Sequence, residues 1–186
     1  MRDHELNAST FASRVAASAG CNFYACIGAA LAVLSGTLHG GVTDEVMAFV
    51  EAIGSPDRAR SVVTERSRLG ERIPGFGHRL YPDGDPRADV LLALARSTAR
   101  RDVRVATLLA VVDAMRALGR EPPNLDAGLV AVALTLGLPA GAPSVLFALG
   151  RTAGWVAHVL EQRKSGYIIR PRARYVGVAD APVDHD

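Results

Sequence analysis

The sequence predicts an all-α protein, and three observations predict it. Hydrophobic residues make up 49% of the 186 positions and aromatics only 5%. With alanine, leucine and valine dominant, that composition suits close-packed helices better than a β-sandwich. Apolar residues recur at helical spacing in successive segments, and glycine, proline and capping residues punctuate those segments where helices start and stop. The length fits one domain or two small ones and is enough to bury a real core.

In chain order, Phe11, Ala12, Val15 and Ala19 share one face of a helix over 7–19, with Asn7 or Ser9 to cap it and Gly20 to stop it. Asn22 caps a second helix, Phe23 to Ser35, which is apolar nearly all round and is expected to be buried. Gly36 closes it. His39 follows, just before Gly40-Gly41, where the backbone leaves room; a satisfied core histidine and a functional one are equally open there. Asp44 and Glu45 start a helix running to about Ile53, and Gly54-Ser55-Pro56-Asp57 turns into a charged helix, Arg58 to Leu69. The stretch Arg72 to Arg87, RIPGFGHRLYPDGDPR, is too rich in Gly and Pro for helix or strand and reads as a structured loop, with an exposed linker as the plain alternative. Asp85 is an N-cap and Pro86 suits a first helical position, followed by Ala88, Val90, Leu91, Leu94 and Ala95 at helical spacing. Arg87 then lies in a first helical turn, and His78 on a loop pinned by Pro74, Gly75 and Gly77.

That helix runs to about Ala99. The next, Asp102 to Leu118, carries a core stripe of Val105, Leu108, Leu109, Val112 and Met115. Pro122-Pro123 interrupts, and a helix from Leu125 to about Leu136 is apolar on every face, hence interior. Asp126 is its only charge. In the first turn the helix dipole favours the ionised form by ~0.3–1 kcal/mol, so a capping aspartate is the plain reading. Pro143 opens a long helix to about Arg163, with a strip of Gly150, Ala153, Gly154 and Ala157 that lets another helix come close, Arg151 beside it and Trp155 a turn on. Pro171 keeps Ile168 to Val176 extended, with Arg170, Arg172 and Arg174 alternating along it.

A net charge of +2 gives no footprint for nucleic acid or an anionic membrane surface. Arg100-Arg101 and Arg104 read as a solvated helix face. Cys21 and Cys26 match no metal-ligand spacing, and no metal is expected. Two thiols behind a polar N-terminus without a targeting signal point to a reducing cytoplasm. No apolar run reaches the ~20 residues that span a bilayer.

The loop block PGFGHRLYPDGDPRA resembles the central signature of the citrate synthase family, PGFGH followed by DPRA. Four further blocks resemble the same family: DHELNAST, SGTLHGGVTDEV (with Thr37 where the family usually has proline), PPNLDAG and RPRARYVG. The resemblance covers Asp3 to Gly177, the C-terminal half of the family's usual length. It implies the citrate synthase-like helical fold, with 1–41 and 140–177 as segments of a large domain, 42–139 as the small helical domain between them, and 178–186 as a disordered tail. The cleft between the domains would hold both substrates and close on oxaloacetate.

The resemblance also implies the chemistry: condensation of acetyl-CoA with oxaloacetate to citrate and CoA. Asp126 would be the base that takes the methyl proton, His39 the donor at the thioester oxygen, and His78 the donor that polarises the keto oxygen. Arg87, Arg151 and Arg170, with His4 assisting, would hold the oxaloacetate dianion, Arg170 reaching across from a second subunit of a homodimer. The backbone at Pro74, Gly75, Phe76 and Gly77 would accept the adenine end of CoA. Pro82 stands where the family usually has a basic residue near the CoA phosphates, which leaves Arg79 as a substitute. Acetyl-CoA is a co-substrate, and no permanently bound cofactor is implied. A 2-methylcitrate synthase and a citryl-CoA lyase would use similar residues. A non-catalytic half needing a complementary N-terminal chain is a further alternative, and it predicts uncovered apolar surface on Phe23 to Ser35 and Val145 to Leu160.

Overall fold

The computed structural model describes residues 6–36, 39–98 and 102–173. His4, Arg100-Arg101, Arg174 and the expected disordered tail 178–186 lie outside the described residues. Within them the chain forms eight helices: α1 (Ala8–Ser18), α2 (Phe23–Leu34), α3 (Val42–Ile53), α4 (Pro56–Arg68), α5 (Pro86–Ser97), α6 (Val103–Ala117), α7 (Leu125–Leu136) and α8 (Ala142–Ser165). The all-α expectation holds. Extended pairing among the described residues is confined to one isolated antiparallel bridge, Phe76 with Pro123.

Asn7, Asn22 and Asp85 are the caps the sequence signals, and Asp102 and Asn124 join them. Asn7 Oδ1 accepts from the Thr10 amide and Asn22 Oδ1 from the Ala25 amide, each at 2.9 Å. Asp85, Asp102 and Asn124 cap α5, α6 and α7 in the same way. Each satisfies an amide that the helix itself leaves unpaired. Three helices start earlier than expected. α3 begins at Val42 because Gly41 serves as its N-cap, α4 takes Pro56 into its first turn, and α8 begins at Ala142 after Gly141 in the left-handed region.

α7 is the axle. Every residue from Ala127 to Thr135 is buried, and a core built on Val50, Ile53, Val63, Leu108, Val111 and Val130 joins it to α3, α4 and α6. α5 packs closely on α7 at Gly128, where an added Cβ would stand 3.1 Å from Leu91. This approach turns Ala88, Leu92 and Ala95 inward and leaves Val90 and Leu94 exposed, so the α5 apolar face is rotated from the one its sequence spacing suggests. α1, α2 and α8 form two smaller clusters, Ala17 with Cys26 and Val159, and Ala30 with Leu34 and Trp155.

Two expectations about these outer helices change. α2 is not enclosed: it buries Cys26, Ala30 and Leu34 against α1 and α8, with Phe23 and Ile27 partly covered, and Tyr24 is 91% exposed, with Leu31 and Val33 also open. On α8 the strip Gly150, Ala153 and Ala157 is exposed, with no helix of the described residues against it, beside exposed Val145, Leu149 and Leu160. Gly154 instead makes room for the Arg151 guanidinium, whose Nη1 would lie 3.2 Å from a Cβ there. The uncovered apolar surface anticipated on these two helices is present.

The loop between α4 and α5 is stitched to the loop before α7. The Gly77 amide donates to the Pro122 carbonyl at 2.8 Å, and the Asn124 amide to the Gly75 carbonyl at 2.9 Å. Gly75 sits at φ +84, and a Cβ there would stand 2.8 Å from Val46 Cγ2 and 3.2 Å from Ala127 Cβ. Gly20 has a similar φ of +83 with nothing within 4 Å. Gly20→Ala is therefore expected to lose about 1 kcal/mol from left-handed strain alone. Gly75→Ala should lose a further 1–3 kcal/mol or so by overpacking, as read by urea denaturation; equal losses would contradict the close approach.

Candidate active site

The stitched loops bring three of the expected site residues into one electrostatic group. Asn124 caps α7, its Oδ1 accepting from the Asp126 amide at 3.0 Å, while its Nδ2 donates to the Gly77 carbonyl at 3.0 Å. One side chain thus ties the turn bearing Asp126 to the residue preceding His78. Asp85 accepts from the Leu125 amide at 3.1 Å and from Arg87 Nε and Nη2 at 2.8 and 2.7 Å. The Arg87 guanidinium also lies over the Tyr81 ring, 5.3 Å from its centroid, and Tyr81 packs on His78 at 5.1 Å between ring centroids.

Burial pushes the Asp126 carboxyl up to about 6; Arg87 and Arg72 pull against that, and Asp85 and Glu45 add to it. A carboxyl with that affinity for a proton is a better base than an ordinary aspartate and is still ionised at neutral pH. Burial also acts to raise Asp85, but the hydrogen bonds from Arg87 outweigh it, helped by the charges of Arg87 and His78, and hold Asp85 below the ordinary range. The His78 Nδ1 accepts from the Leu80 amide at 3.1 Å. By this hydrogen-bond assignment the neutral ring carries its proton on Nε2, as a donor must.

His39 and Arg151 form a second group, both fixed by the first turn of α1. His39 Nε2 lies 2.9 Å from Ser9 Oγ, and Arg151 donates to Thr10 Oγ1 from Nη2 at 2.8 Å and Nε at 3.3 Å. Burial, and after it the Arg151 charge, holds the His39 imidazole below its ordinary value, so the ring is neutral at pH 7. Arg170 belongs to neither group. It lines a groove of about 610 Å³ with Arg14, His158 and Phe11, where the tail is held by Ile169 donating to Ser18 Oγ at 2.9 Å.

The residues expected to meet CoA divide. Phe76, Gly77 and Arg79 line a groove of about 950 Å³ beside His78. Gly75 turns inward against Val46 and Ala127, and Pro74 lines a smaller pocket with Phe49 and Arg72. Pro82 is on the large groove's wall, and Arg72 and Arg120 bring further positive charge there. Sequence reasoning passed over Arg120 and Thr10, and credited Ser9 and Asp85 with capping alone. Ser9 and Thr10 could have been found from their place in an eight-letter block already matched to the family; nothing local marks Arg120.

A family description, citrate synthase, C-terminal domain, matches residues 1–172. The chain belongs to the citrate synthase family. Citrate synthase 2 of Bacillus subtilis is 36% identical over 178 residues, which is 94% of this chain and 48% of that protein. A citrate synthase from Thermoplasma acidophilum, solved with carboxymethyl-coenzyme A and oxaloacetate, superimposes with a TM-score of 0.80 at 35% identity, over 97% of this chain and 50% of that one. A citryl-CoA lyase from Hydrogenobacter thermophilus superimposes with a TM-score of 0.75 at 28% identity, covering 98% of this chain and 74% of that one. The chain spans about half the length of the curated relatives it matches.

In this chain, the raised Asp126 carboxyl has a consequence for stability. The native state binds that proton more tightly than the unfolded chain. The group's contribution is therefore complete below pH ~4 and lost as pH rises through about 6. Above that the buried carboxylate costs about 2–3 kcal/mol. Asp126→Asn is expected to match the parent near pH 4 and to be more stable by about 1–3 kcal/mol at pH 8, in urea titrations across that range. A difference independent of pH would contradict the raised value.

Proposed function

We propose that this chain carries the catalytic residues of a citrate synthase and condenses acetyl-CoA with oxaloacetate. The observation that supports this best is Asp126, a carboxyl pushed up to about 6 at the start of a buried helix, within a loop system that also holds His78 and Arg87. Asp126 takes a proton from the acetyl methyl group while a hydrogen bond from His39 stabilises the enolate oxygen. The methyl carbon attacks the keto carbon of oxaloacetate, and His78 donates from Nε2 to the keto oxygen as it becomes a hydroxyl. Water then cleaves the citryl thioester, releasing citrate and CoA thiol. Arg87, Arg151 and Arg170, with His4, hold the two carboxylates in guanidinium forks. Phe76, Gly77 and Arg79 receive the CoA end, helped by Pro74 and Gly75, which shape the loop.

His39 meets one condition first. The Ser9 hydroxyl has one hydrogen and donates it to Asn7 Oδ1 at 3.0 Å, so in the free protein His39 gives its own Nε2 proton to Ser9. Donation from Nδ1 needs the other tautomer: the Nε2 proton leaves to solvent, a proton from solvent is taken up at Nδ1, and the Ser9 hydrogen turns from Asn7 to Nε2, without displacing a heavy atom of the protein.

The separate clusters of α1, α2 and α8 and of α3–α7 fit a small domain at 42–139 between large-domain segments 1–41 and 140–177, with the cleft between them as the substrate site. The open faces of α2 and α8 fit cover by a second copy of this chain, or by a complementary N-terminal chain. Free Cys21 and Cys26 suit the reducing cytoplasm. Citryl-CoA cleavage is a second reading, favoured by the larger share of the lyase that this chain covers.

The test follows thiol release from acetyl-CoA by the purified chain. Release is expected to require oxaloacetate and to fall at least about 100-fold in Asp126→Ala. Thiol-independent cleavage of citryl-CoA to acetyl-CoA, with no condensation, would favour the lyase. A folded chain that binds an apolar-surface dye and turns over neither substrate would count against catalysis by this chain alone.

A further inference from the structure

As the N-cap of α5, Asp85 needs one hydrogen bond, from the Arg87 amide to Oδ1 at 3.0 Å. Its side chain is 0% exposed and takes three more: Arg87 Nε on Oδ1, and Arg87 Nη2 and the Leu125 amide on Oδ2. Capping does not require these. Serine or asparagine caps a helix as well as aspartate does, without the several kcal/mol that removing a carboxylate from water costs unless it is paired. The additional bonds are what aspartate supplies. Two of them grip the Nε–Nη2 edge of Arg87, whose guanidinium lies over the Tyr81 ring. The end-on edge, carrying Nη1, is left to meet a substrate carboxylate. The fourth bond reaches α7 at the residue immediately before Asp126.

We propose that Asp85 is a positioning residue of the active site: one buried carboxylate holds the Arg87 guanidinium and the opening turn of α7 together, and so sets the distance between that cation and Asp126. The role deepens the catalytic reading of Asp126 and Arg87, but its test does not depend on turnover. The titratable and charged groups around Asp126 are Arg87, Arg72, Asp85 and Glu45; those around Asp85 are Arg87, His78 and Asp126 itself. Asp85→Asn keeps the shape, removes a negative neighbour of Asp126 and leaves the Arg87 charge unneutralised, and both changes act in one direction.

The experiment titrates the Asp126 side-chain carboxyl by carbon NMR in the full chain, parent against Asp85→Asn, with helix content checked by circular dichroism. The Asp126 midpoint is expected to fall by at least about half a unit. Asp85→Ser keeps a cap for α5 and removes the latch; it covers the case in which the asparagine variant fails to fold, and it too is expected to move the Asp126 midpoint. Oxaloacetate binding by calorimetry should then weaken at least about tenfold in Asp85→Ser. If both folded variants titrate Asp126 as the parent does, Asp85 is only a helix cap and the proposal is overturned. If the parent itself binds no oxaloacetate, the substrate reading fails, and the titration alone decides for or against Asp85.

Discussion

Two reciprocal backbone hydrogen bonds, Gly77 to Pro122 and Asn124 to Gly75, are the constraint on which the site depends. They join segments that are far apart in sequence and carry little regular structure of their own. Without them the loop bearing His78 would be held to α7 only by the Asn124 and Asp85 side chains and by the burial of Ile73 and Phe76. With them it shares a frame with the first turn of α7, where Asp126 sits. Glycine is required at Gly75 because α3 and α7 both press against that backbone. The side-chain bonds of Asn124 and Asp85 then add direction to a link that the backbone makes. Burial of α7 supplies the rigidity: a helix enclosed from Ala127 to Thr135 cannot tilt without breaking the main core.

The same frame accounts for the electrostatics. Asp85 is fully and Asp126 partly removed from water, and the two end on opposite sides of the ordinary carboxylate range. Arg87 explains the difference, since it gives Asp85 two side-chain hydrogen bonds and reaches Asp126 through its charge alone. Ground-state pairing with Asp85 keeps Arg87 from fully neutralising Asp126, which leaves a carboxyl that can accept a proton at neutral pH. His39 is governed by different neighbours, Ser9 and Arg151.

Much of the helical frame could be read from the sequence because it is written locally. Asn7, Asn22 and Asp85 are caps where capping residues precede apolar runs, and the unbroken apolar character of Leu125 to Leu136 correctly marks an interior helix. The same criterion failed for α2. An all-round apolar helix signals that something covers it, and within this chain α1 and α8 cover only one stripe. The α5 face was misjudged because side-chain spacing permits several rotations, and the close approach at Gly128 selects one of them. Sequence blocks singled out His39, His78, Arg87 and Asp126, but not what orients them. The second, third and fourth bonds of Asp85 are long-range or depend on a rotamer, and no local pattern encodes them.

Hydrogen exchange at two amides tests the stitched-loop account most directly. Gly77 and Asn124 lie outside regular helices, so ordinary loop behaviour would let both exchange through small local openings. If their two bonds hold the site together, both amides should be protected to nearly the same free energy as the interior amides of α7, and should open with them. Exchange of both at the rate of a free loop, while α7 stays protected, would contradict the account and leave His78 and Asp126 without a common frame.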